Sequence, residues 1–374
     1  MAISQDTLNQ VQDLYLAFLD RPEDQGGLNY WANVLTNNGG NIQSVIPGFV
    51  NSTEYQNLYG NANSSDTSTT INQIYQNLFN RPADDGGLQY WANVYNTNHL
   101  TPGELAYDIL QGGIGANNNT DTPTIENKIQ AANVFTNTVQ NYSDSTMPIA
   151  RDFINHISAN TNVSSITPTT IMQPILETVY LAFLDRPADQ GGLQYWANVL
   201  VANGGNVQSI MPSFANSTEA QNLYSTTTPS DVGTVVNQIY QNLFNRPADD
   251  GGLQYWTNVY NTNHLTPGEL AYDILQGGIG ANNNTDTPAI ENKIQAANVI
   301  TNTVQNFSGT TLSTIRDFIN HISADIDVSS ITPTTIESLI NNPSSSSSTT
   351  TTTSSISTSP SAVKSQLKLI HLGH

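Results

Sequence analysis

The 374-residue chain contains no cysteine, which excludes disulfide bonds and thiolate metal sites. Basic residues are also scarce, with 10 Lys and Arg against 30 Asp and Glu and a formal net charge of −20. A chain this acidic is repelled by phosphate backbones, so we expect no nucleic-acid partner. Charged residues make up 11% of the chain. Asn, Gln, Ser and Thr must therefore supply much of the solvated surface.

Long apolar runs are missing as well. No stretch of about 18 apolar residues is present, which predicts no membrane span. The N-terminal residues MAISQDTLNQVQDLYLAFLDRPE lack the basic start and the apolar centre of a cleaved signal peptide. A Lys-poor, Cys-free composition rich in Asn and Thr is nevertheless typical of extracellular proteins. We therefore expect an extracellular protein exported by another route, such as an uncleaved C-terminal signal.

The sequence repeats itself at two levels. Residues 15–171 align with residues 180–336 without a gap, and most aligned positions are identical. Within each of these halves one motif occurs twice. Such repetition is typical of modules that stack or assemble. We predict one domain at residues 1–172 and a second at 173–342, followed at 343–374 by a disordered Ser/Thr-rich linker and a short tail that cannot bury a core.

The repeated motif first appears as YLAFLDRPEDQGGLNYWANVL at residues 15–35. It predicts a helix, a tight loop and a second helix. The loop follows from Pro22, because the residue before a proline is disfavoured in the α region. Glu23 and Asp24 then lie near the positive end of the second helix. The apolar residues before the loop share one helix face: Val11, Leu14, Tyr15, Phe18 and Leu19. The predicted fold class is all-α, with two tandem helical domains that each contain two helix-loop-helix motifs.

Two side chains of the motif call for a structural explanation. Each loop contains an arginine followed three residues later by an aspartate, and such a pair can form a bidentate ion pair. We interpret these pairs as clamps that hold the loop: Arg21 with Asp24, Arg81 with Asp84, Arg186 with Asp189, and Arg246 with Asp249. The tryptophans resume helical spacing after the loop, and we predict that they lie in the core: Trp31, Trp91, Trp196 and Trp256.

The residues Tyr15, Arg21-Pro22, Asp24, Gly26, Leu28 and Tyr30-Trp31 form a pattern that returns from Tyr75, Tyr180 and Tyr240. This pattern resembles the domain family called DUF4214. The segments IENKIQAANVFTNTV (125–139) and IENKIQAANVITNTV (290–304) are similar to the Asn-Lys segment that often follows that domain. The resemblance implies a secreted bacterial surface protein of the S-layer or repeat-toxin type, and it implies no established catalytic residue.

The acidic loop residues have a second interpretation as calcium ligands. An EF-hand loop needs ligands at alternating positions and a Glu at its twelfth position, and the motif does not match that spacing. The loop arginine also adds charge of the wrong sign. Calcium is therefore kept as an alternative for the following residues: Asp20, Asp24, Asp84, Asp85, Asp185, Asp189, Asp249 and Asp250.

No catalytic motif emerges from the sequence. It contains no GxSxG, no HExxH and no phosphate-binding glycine loop. The adjacent acids Asp84-Asp85 and Asp249-Asp250 are more simply explained as partners of a helix dipole than as a glycosidase pair. We therefore expect a protein that is not an enzyme and that has no catalytic residue.

Three functions remain open. The first is an extracellular structural protein that self-assembles into a surface layer or filament, because tandem repeats present similar surfaces at several places. The second is a surface adhesin or anchor module that binds envelope polysaccharide through exposed aromatic residues, for which the candidates are Tyr30, Tyr90, Tyr195 and Tyr255. The third is a calcium-dependent surface scaffold.

Overall fold

The computed structural model describes residues 3–59, 67–115, 121–140, 142, 146–224, 232–280, 286–307 and 309–341. These residues form helices, turns and irregular connections, with no β-strand among them. The predicted all-α class is therefore confirmed. The predicted linker and tail at 343–374 lie outside the described residues.

The chain divides between Ile171 and Met172 into two compact units. Unit 1 contains nine α-helices in its described part: α1 (Gln5–Leu19), α2 (Gln25–Asn37), α3 (Ile46–Val50), α4 (Thr53–Tyr59), α5 (Thr67–Phe79), α6 (Asp85–Asn98), α7 (Pro102–Gly115), α8 (Asp121–Thr138) and α9 (Thr146–Asn155).

Unit 2 repeats this order and adds a helix near its end. Its α-helices, again for the described residues, are α10 (Pro168–Leu184), α11 (Gln190–Ala202), α12 (Met211–Ala215), α13 (Thr218–Tyr224), α14 (Val232–Phe244), α15 (Asp250–Asn263), α16 (Pro267–Gly280), α17 (Asp286–Thr303), α18 (Gly309–Asn320) and α19 (Pro333–Asn341). Short 3-10 turns lie at Ile42–Ser44, Val163–Ser165, Val207–Ser209 and Val328–Ser330.

Helix α1 lies at the centre of unit 1. It begins after Ser4, whose hydroxyl caps the helix by accepting a hydrogen bond from the Thr7 N–H at 3.1 Å. Every residue from Val11 to Leu19 is buried. Helices α2, α4, α5, α7 and α8 all contact it. A helix surrounded in this way must bury polar side chains along with the apolar ones, and these polar groups shape the bend that follows.

The two helix pairs of unit 1 are packed to different depths. Helix α2 buries Leu28, Ala32 and Leu35 completely or nearly so. Helix α6, which occupies the same place in the second copy of the motif, has no fully buried residue. Helix α15 of unit 2 shows the same shallow packing. The second pair of each unit therefore lies at its periphery.

Glycine allows α7 to approach α1 closely. A Cβ atom placed on Gly103 would lie 2.4 Å from Cδ1 of Phe18 and 2.8 Å from Cε2 of Tyr55. Real side chains do not tolerate such distances, so the residue at this position must lack a Cβ atom. Gly268 meets Phe183 at 2.4 Å in the same way in unit 2. The sequence gave no reason to single out these glycines.

None of the helices in the described ranges combines the length and apolar character that crossing a bilayer requires.

We predict that Gly103→Ala lowers the free energy of unfolding of the full chain by about 1–3 kcal/mol, because overpacking forces the Phe18 ring to move. Urea denaturation followed by circular dichroism would measure the change. Gly115→Ala in the same helix is the matched control, since a Cβ atom there has nothing within 4 Å. We expect this control to leave stability unchanged or slightly raised, because alanine favours helix. Equal losses in both variants would contradict the packing argument.

Candidate functional site

The four bends share an unusual backbone conformation. Each first helix of a pair ends at a residue in the left-handed region, with φ between 52° and 59°: Asp20, Asn80, Asp185 and Asn245. Asp and Asn tolerate this region better than most residues that carry a side chain. The predicted end of the helix before Arg-Pro is therefore confirmed. The chain reverses at one Asp or Asn before the proline is reached.

The arginine after the reversal is held by a distant carboxylate. Arg21 is 6% exposed. Its Nε and Nη2 donate to the two carboxylate oxygens of Glu54 at 2.7 and 2.8 Å, and its Nη1 donates to the carbonyl oxygen of Pro22 at 2.8 Å. The guanidinium also lies 5.1 Å from the ring centre of Tyr15. Arg186 makes the same contacts with Glu219, at 2.8 and 3.0 Å.

The second copies use a different partner. Arg81 donates from Nε and Nη2 to Asp121 at 2.9 and 2.6 Å, and Arg246 donates to Asp286 at 3.0 and 2.7 Å. The side chains of these two arginines are about one-third exposed. In each unit the first bend is therefore fixed to α4 or α13, and the second is fixed to the start of α8 or α17.

The predicted clamp between each arginine and the aspartate three residues later needs correction. Those aspartates cap the second helices instead. Asp24, Asp84, Asp189 and Asp249 each accept a hydrogen bond from a glycine N–H three residues on, at 2.7–2.9 Å. Arg186 also lies 3.6 Å from Asp189, so one copy retains a weak version of the pair. Capping is favoured because the side chain satisfies an N–H group that the helix leaves unpaired.

A further acceptor holds the bend from the preceding helix. The N–H of the third loop residue donates to a side-chain oxygen eleven positions earlier, in four versions: Glu23 to Gln12, Ala83 to Asn72, Ala188 to Glu177, and Ala248 to Asn237. Our sequence analysis missed these acceptors. The signal that could have found them is a polar residue at one fixed distance before every Arg-Pro.

The two units place the buried carboxyl at different positions. In unit 1, Gln12 accepts from the Glu23 N–H at 3.2 Å, and the Glu23 side chain is itself fully buried. In unit 2 the equivalent of Gln12 is Glu177, which accepts from the Ala188 N–H at 2.8 Å. Each unit therefore keeps one buried carboxyl beside the bend. Burial raises the pKa of Glu23 to about 10 and that of Glu177 to about 7.

Behind each bend lies a cluster of buried charged and amide side chains. The cluster of unit 1 consists of Asp20, Glu54, Lys128, Arg151 and Asn155. Arg151 Nη2 lies 3.1 Å from Glu54, and its Nε lies 4.0 Å from Asp20. Asn155 Nδ2 donates to Asp20 at 3.0 Å. Burial raises the pKa of Asp20 to about 6, against the opposing effects of Asn155, Lys128 and Arg151.

The cluster of unit 2 consists of Asp185, Glu219, Lys293, Arg316 and Asn320, and it repeats this arrangement. Arg316 lies 3.3 Å from Glu219 and 3.8 Å from Asp185. Burial raises the pKa of Asp185 to about 6. Because Arg316 bridges the end of α10 and helix α13, the cluster ties three sequence-distant segments together.

The residues kept as calcium candidates fall into three environments. Asp20 and Asp185 face arginine and asparagine in the clusters. Asp24, Asp84, Asp189 and Asp249 cap helices, while Asp85 and Asp250 are exposed in the first turns of α6 and α15. Over the described ranges, no group of three or more His, Asp or Glu side chains is placed to hold a metal ion. The bends do not bring the acidic residues together.

The tryptophans lie higher than predicted. All four indoles are half-buried at the edge of the core. Three of them donate from Nε1 to a tyrosine hydroxyl: Trp31 to Tyr15 at 3.1 Å, Trp91 to Tyr75 at 3.0 Å, and Trp256 to Tyr240 at 3.0 Å. An indole N–H needs a partner when it leaves water, and this bond holds the ring at the surface of the first helix.

The tyrosines before these tryptophans are exposed. Tyr30, Tyr90, Tyr195 and Tyr255 expose 60–61% of their surface. Each ring packs edge-on against its neighbouring indole with centroids 4.8–4.9 Å apart. Around each tyrosine, the glycine four residues before it, the Asn or Gln one before it and the Asn three after it are exposed as well. We call these four residues the tyrosine face, and the chain carries four of them.

We predict that the buried carboxyl of unit 1 can be moved to its position in unit 2. Gln12→Glu alone should destabilise the chain, because it places a second carboxyl beside Glu23. Glu23→Ala alone should destabilise it by leaving a cavity. The double variant copies Glu177 and Ala188, and we expect it to recover between about 0.5 and 3 kcal/mol as coupling energy in urea denaturation. The matched control is the reverse exchange in unit 2. Additive losses would contradict the exchange.

The same variants predict a difference in pH dependence. A carboxyl whose pKa is raised on folding contributes stability that is full below its unfolded pKa and falls as the pH rises through its folded value. For Glu23 this fall extends from pH 4.5 to about 10, whereas for a carboxyl like Glu177 it ends near pH 7. Between pH 7.5 and 9, the melting temperature of the native chain should therefore fall relative to that of the double variant. Parallel curves would be the contrary result.

One family model matches the chain four times, over residues 4–59, 46–112, 170–224 and 211–277, and its description is domain of unknown function (DUF4214). Each matched segment contains one of the four bends. No curated protein and no solved structure matches the chain. The matches cover more than half of the sequence and confirm the resemblance read from the repeated motif. The chain therefore belongs to the DUF4214 family.

Proposed function

We propose that this chain is an extracellular structural protein that self-assembles through its tyrosine faces into a surface layer or filament. The observation that carries the proposal is the exposure of the same four residues on four helices, α2, α6, α11 and α15. One chain therefore offers four similar contacts. A contact of this kind joins identical subunits without requiring that the assembly close.

The chemistry of the tyrosine face suits contact between identical acidic chains. Tyrosine supplies a large contact area at a small loss of side-chain entropy, and it is enriched in protein interfaces. Each ring is already held against an indole, so little ordering is required on binding. The four residues of each face carry no formal charge, while the chain as a whole carries −20. Repulsion between copies is therefore weakest where these faces meet.

The repeated bends support the same proposal from the inside. The second helix of each pair is capped by its aspartate, and the loop before it is fixed by a bidentate arginine. This arrangement makes the orientation of the tyrosine-bearing helix depend on ionic contacts rather than on a flexible loop. A polymer needs such rigidity, because small errors in orientation add up along it.

The same exposed rings favour a second candidate, an adhesin or anchor module for envelope polysaccharide. A tyrosine ring can stack on the apolar face of a sugar, and the neighbouring Asn and Gln amides can bind sugar hydroxyl groups. The absence of a basic residue from the face favours a neutral polysaccharide over an anionic one.

We predict that replacing Tyr30, Tyr90, Tyr195 and Tyr255 with serine abolishes assembly of the purified chain, because the contact loses its aromatic area. Negative-stain electron microscopy and sedimentation at high protein concentration would measure polymer formation. The matched control replaces the same four residues with phenylalanine, which keeps each ring and removes only the hydroxyl. We expect this control to assemble like the native chain.

The remaining outcomes separate the candidates. A native chain that stays monomeric at high concentration would contradict self-assembly. If that monomer is retained on neutral cell-envelope polysaccharide and the serine variant is not, the binding module replaces the structural one. Repeating the assembly with a calcium chelator tests the calcium-dependent scaffold, for which loss of polymers in chelator is the expected sign.

A further inference from the structure

Each unit buries a lysine, an aspartate and an asparagine in the cluster behind its first bend. Lys128 and Lys293 are 1% exposed, and Asp20 and Asp185 are 6% exposed. These are the only lysines in residues 1–341 of the sequence. A chain that exposes few basic residues therefore places both of these amines where water does not reach. An amine buried at such cost calls for a role.

The three groups of unit 2 lie in sequence along one path. Lys293 Nζ donates to the carbonyl oxygen of Ile319 at 2.7 Å. The next residue is Asn320, whose Nδ2 donates to Asp185 Oδ2 at 2.9 Å. The amine thus lies beside the backbone of the residue that carries the carboxamide. The carboxylic group contacts the nitrogen of that carboxamide from the other side.

Unit 1 repeats the cluster. Asn155 Nδ2 donates to Asp20 Oδ2 at 3.0 Å, and Lys128 Nζ donates to the carbonyl oxygen of Asn77 at the end of α5. The carboxamide oxygens of Asn155 and Asn320 are both buried and have no hydrogen-bond partner among the described residues. Buried amide oxygens are usually paired. In both units the asparagine is therefore held by its nitrogen alone.

Burial also alters the protonation of these groups in the direction that favours reaction. It lowers the pKa of Lys128 to about 8 and that of Lys293 to about 7, opposed by the attraction of Asp20 and Asp185. A substantial share of each amine is then neutral near pH 7, and a neutral amine is a nucleophile. Desolvation raises the pKa of both aspartates to about 6, so each can exchange a proton near neutral pH.

We propose that each unit is closed by an intramolecular amide bond, between Lys128 and Asn155 in unit 1 and between Lys293 and Asn320 in unit 2. In the reaction, the lysine Nζ attacks the asparagine Cγ and a new C–N bond forms. The bond from Cγ to Nδ2 breaks, and Nδ2 leaves as ammonia. Asp20 or Asp185 accepts a proton from the attacking amine and delivers it to the departing nitrogen that it already contacts. No oxidant or other reagent is consumed.

Two physical features favour this reaction. Groups held together in a folded interior react as if at a very high concentration, which removes much of the entropic barrier. The product also replaces an ionisable buried amine with a neutral amide, so the cost of burying a charge disappears. Because the chain has no cysteine, an amide is the covalent link that its residues can supply. The link would tie α8 to the end of α9, and α17 to the end of α18.

The mass of the native full-length chain tests the proposal directly. Each bond releases one ammonia, so electrospray mass spectrometry should find the purified chain lighter than its sequence mass by about 17 Da per bond, or about 34 Da in total. Proteolytic mapping should recover a cross-linked peptide pair that contains positions 128 and 155, and a second pair that contains 293 and 320. A chain with the full sequence mass would overturn the proposal. It would also show that the lysines only bind helix-terminal carbonyl groups.

Variants in one unit use the other unit as an internal control. We expect Lys293→Met and Asp185→Ala each to reduce the deficit from about 34 to about 17 Da, with the link in unit 1 intact. An Asp185→Ala chain that still links Lys293 to Asn320 would overturn the role of the aspartate. A link from Lys293 to Asp185, which releases water instead of ammonia, would overturn the assigned acceptor. If either variant fails to fold, the mass of the native chain still decides the proposal.

Discussion

The bidentate contact between the bend arginine and a carboxylate far along the chain is the interaction on which each unit depends. Arg21 reaches Glu54, which is 33 residues away, and Arg81 reaches Asp121, which is 40 residues away. Each contact joins a helix pair to a later helix. Such a pair is stabilising when its geometry satisfies both partners, and removing one partner leaves a buried charge without compensation. The helix pairs therefore acquire their orientation from the rest of the unit.

The two bends of a unit have become specialised. The first is deeply buried, and its arginine takes part in a cluster with a second arginine, an aspartate and a lysine. The second lies near the surface, with its arginine about one-third exposed and its second helix without a fully buried residue. One motif can serve in both places because its own contacts, the aspartate cap and the Trp–Tyr hydrogen bond, are local. The depth of burial is decided by the helices that cover it.

The interior of this protein is unusually rich in ionisable groups for a chain that is only 11% charged. Buried carboxyls, lysines and arginines concentrate around the first bends, while the tyrosine faces are uncharged. The exchange of Gln12 and Glu23 for Glu177 and Ala188 shows that the site requires an acceptor for the loop N–H and leaves the position of the carboxyl free. Polar contacts thus specify the interior, and uncharged aromatic surface is presented outside.

Much of the architecture follows from the sequence alone. The helix-loop-helix motif, its fourfold repetition and the family could all be read there, because helical periodicity, the Arg-Pro stop and the cap are local properties. The partners of the arginines, the half-buried position of the tryptophans and the clusters of lysine, aspartate and asparagine could not. They depend on segments 30 to 135 residues apart meeting in space, and only the packing of the helices brings those segments together.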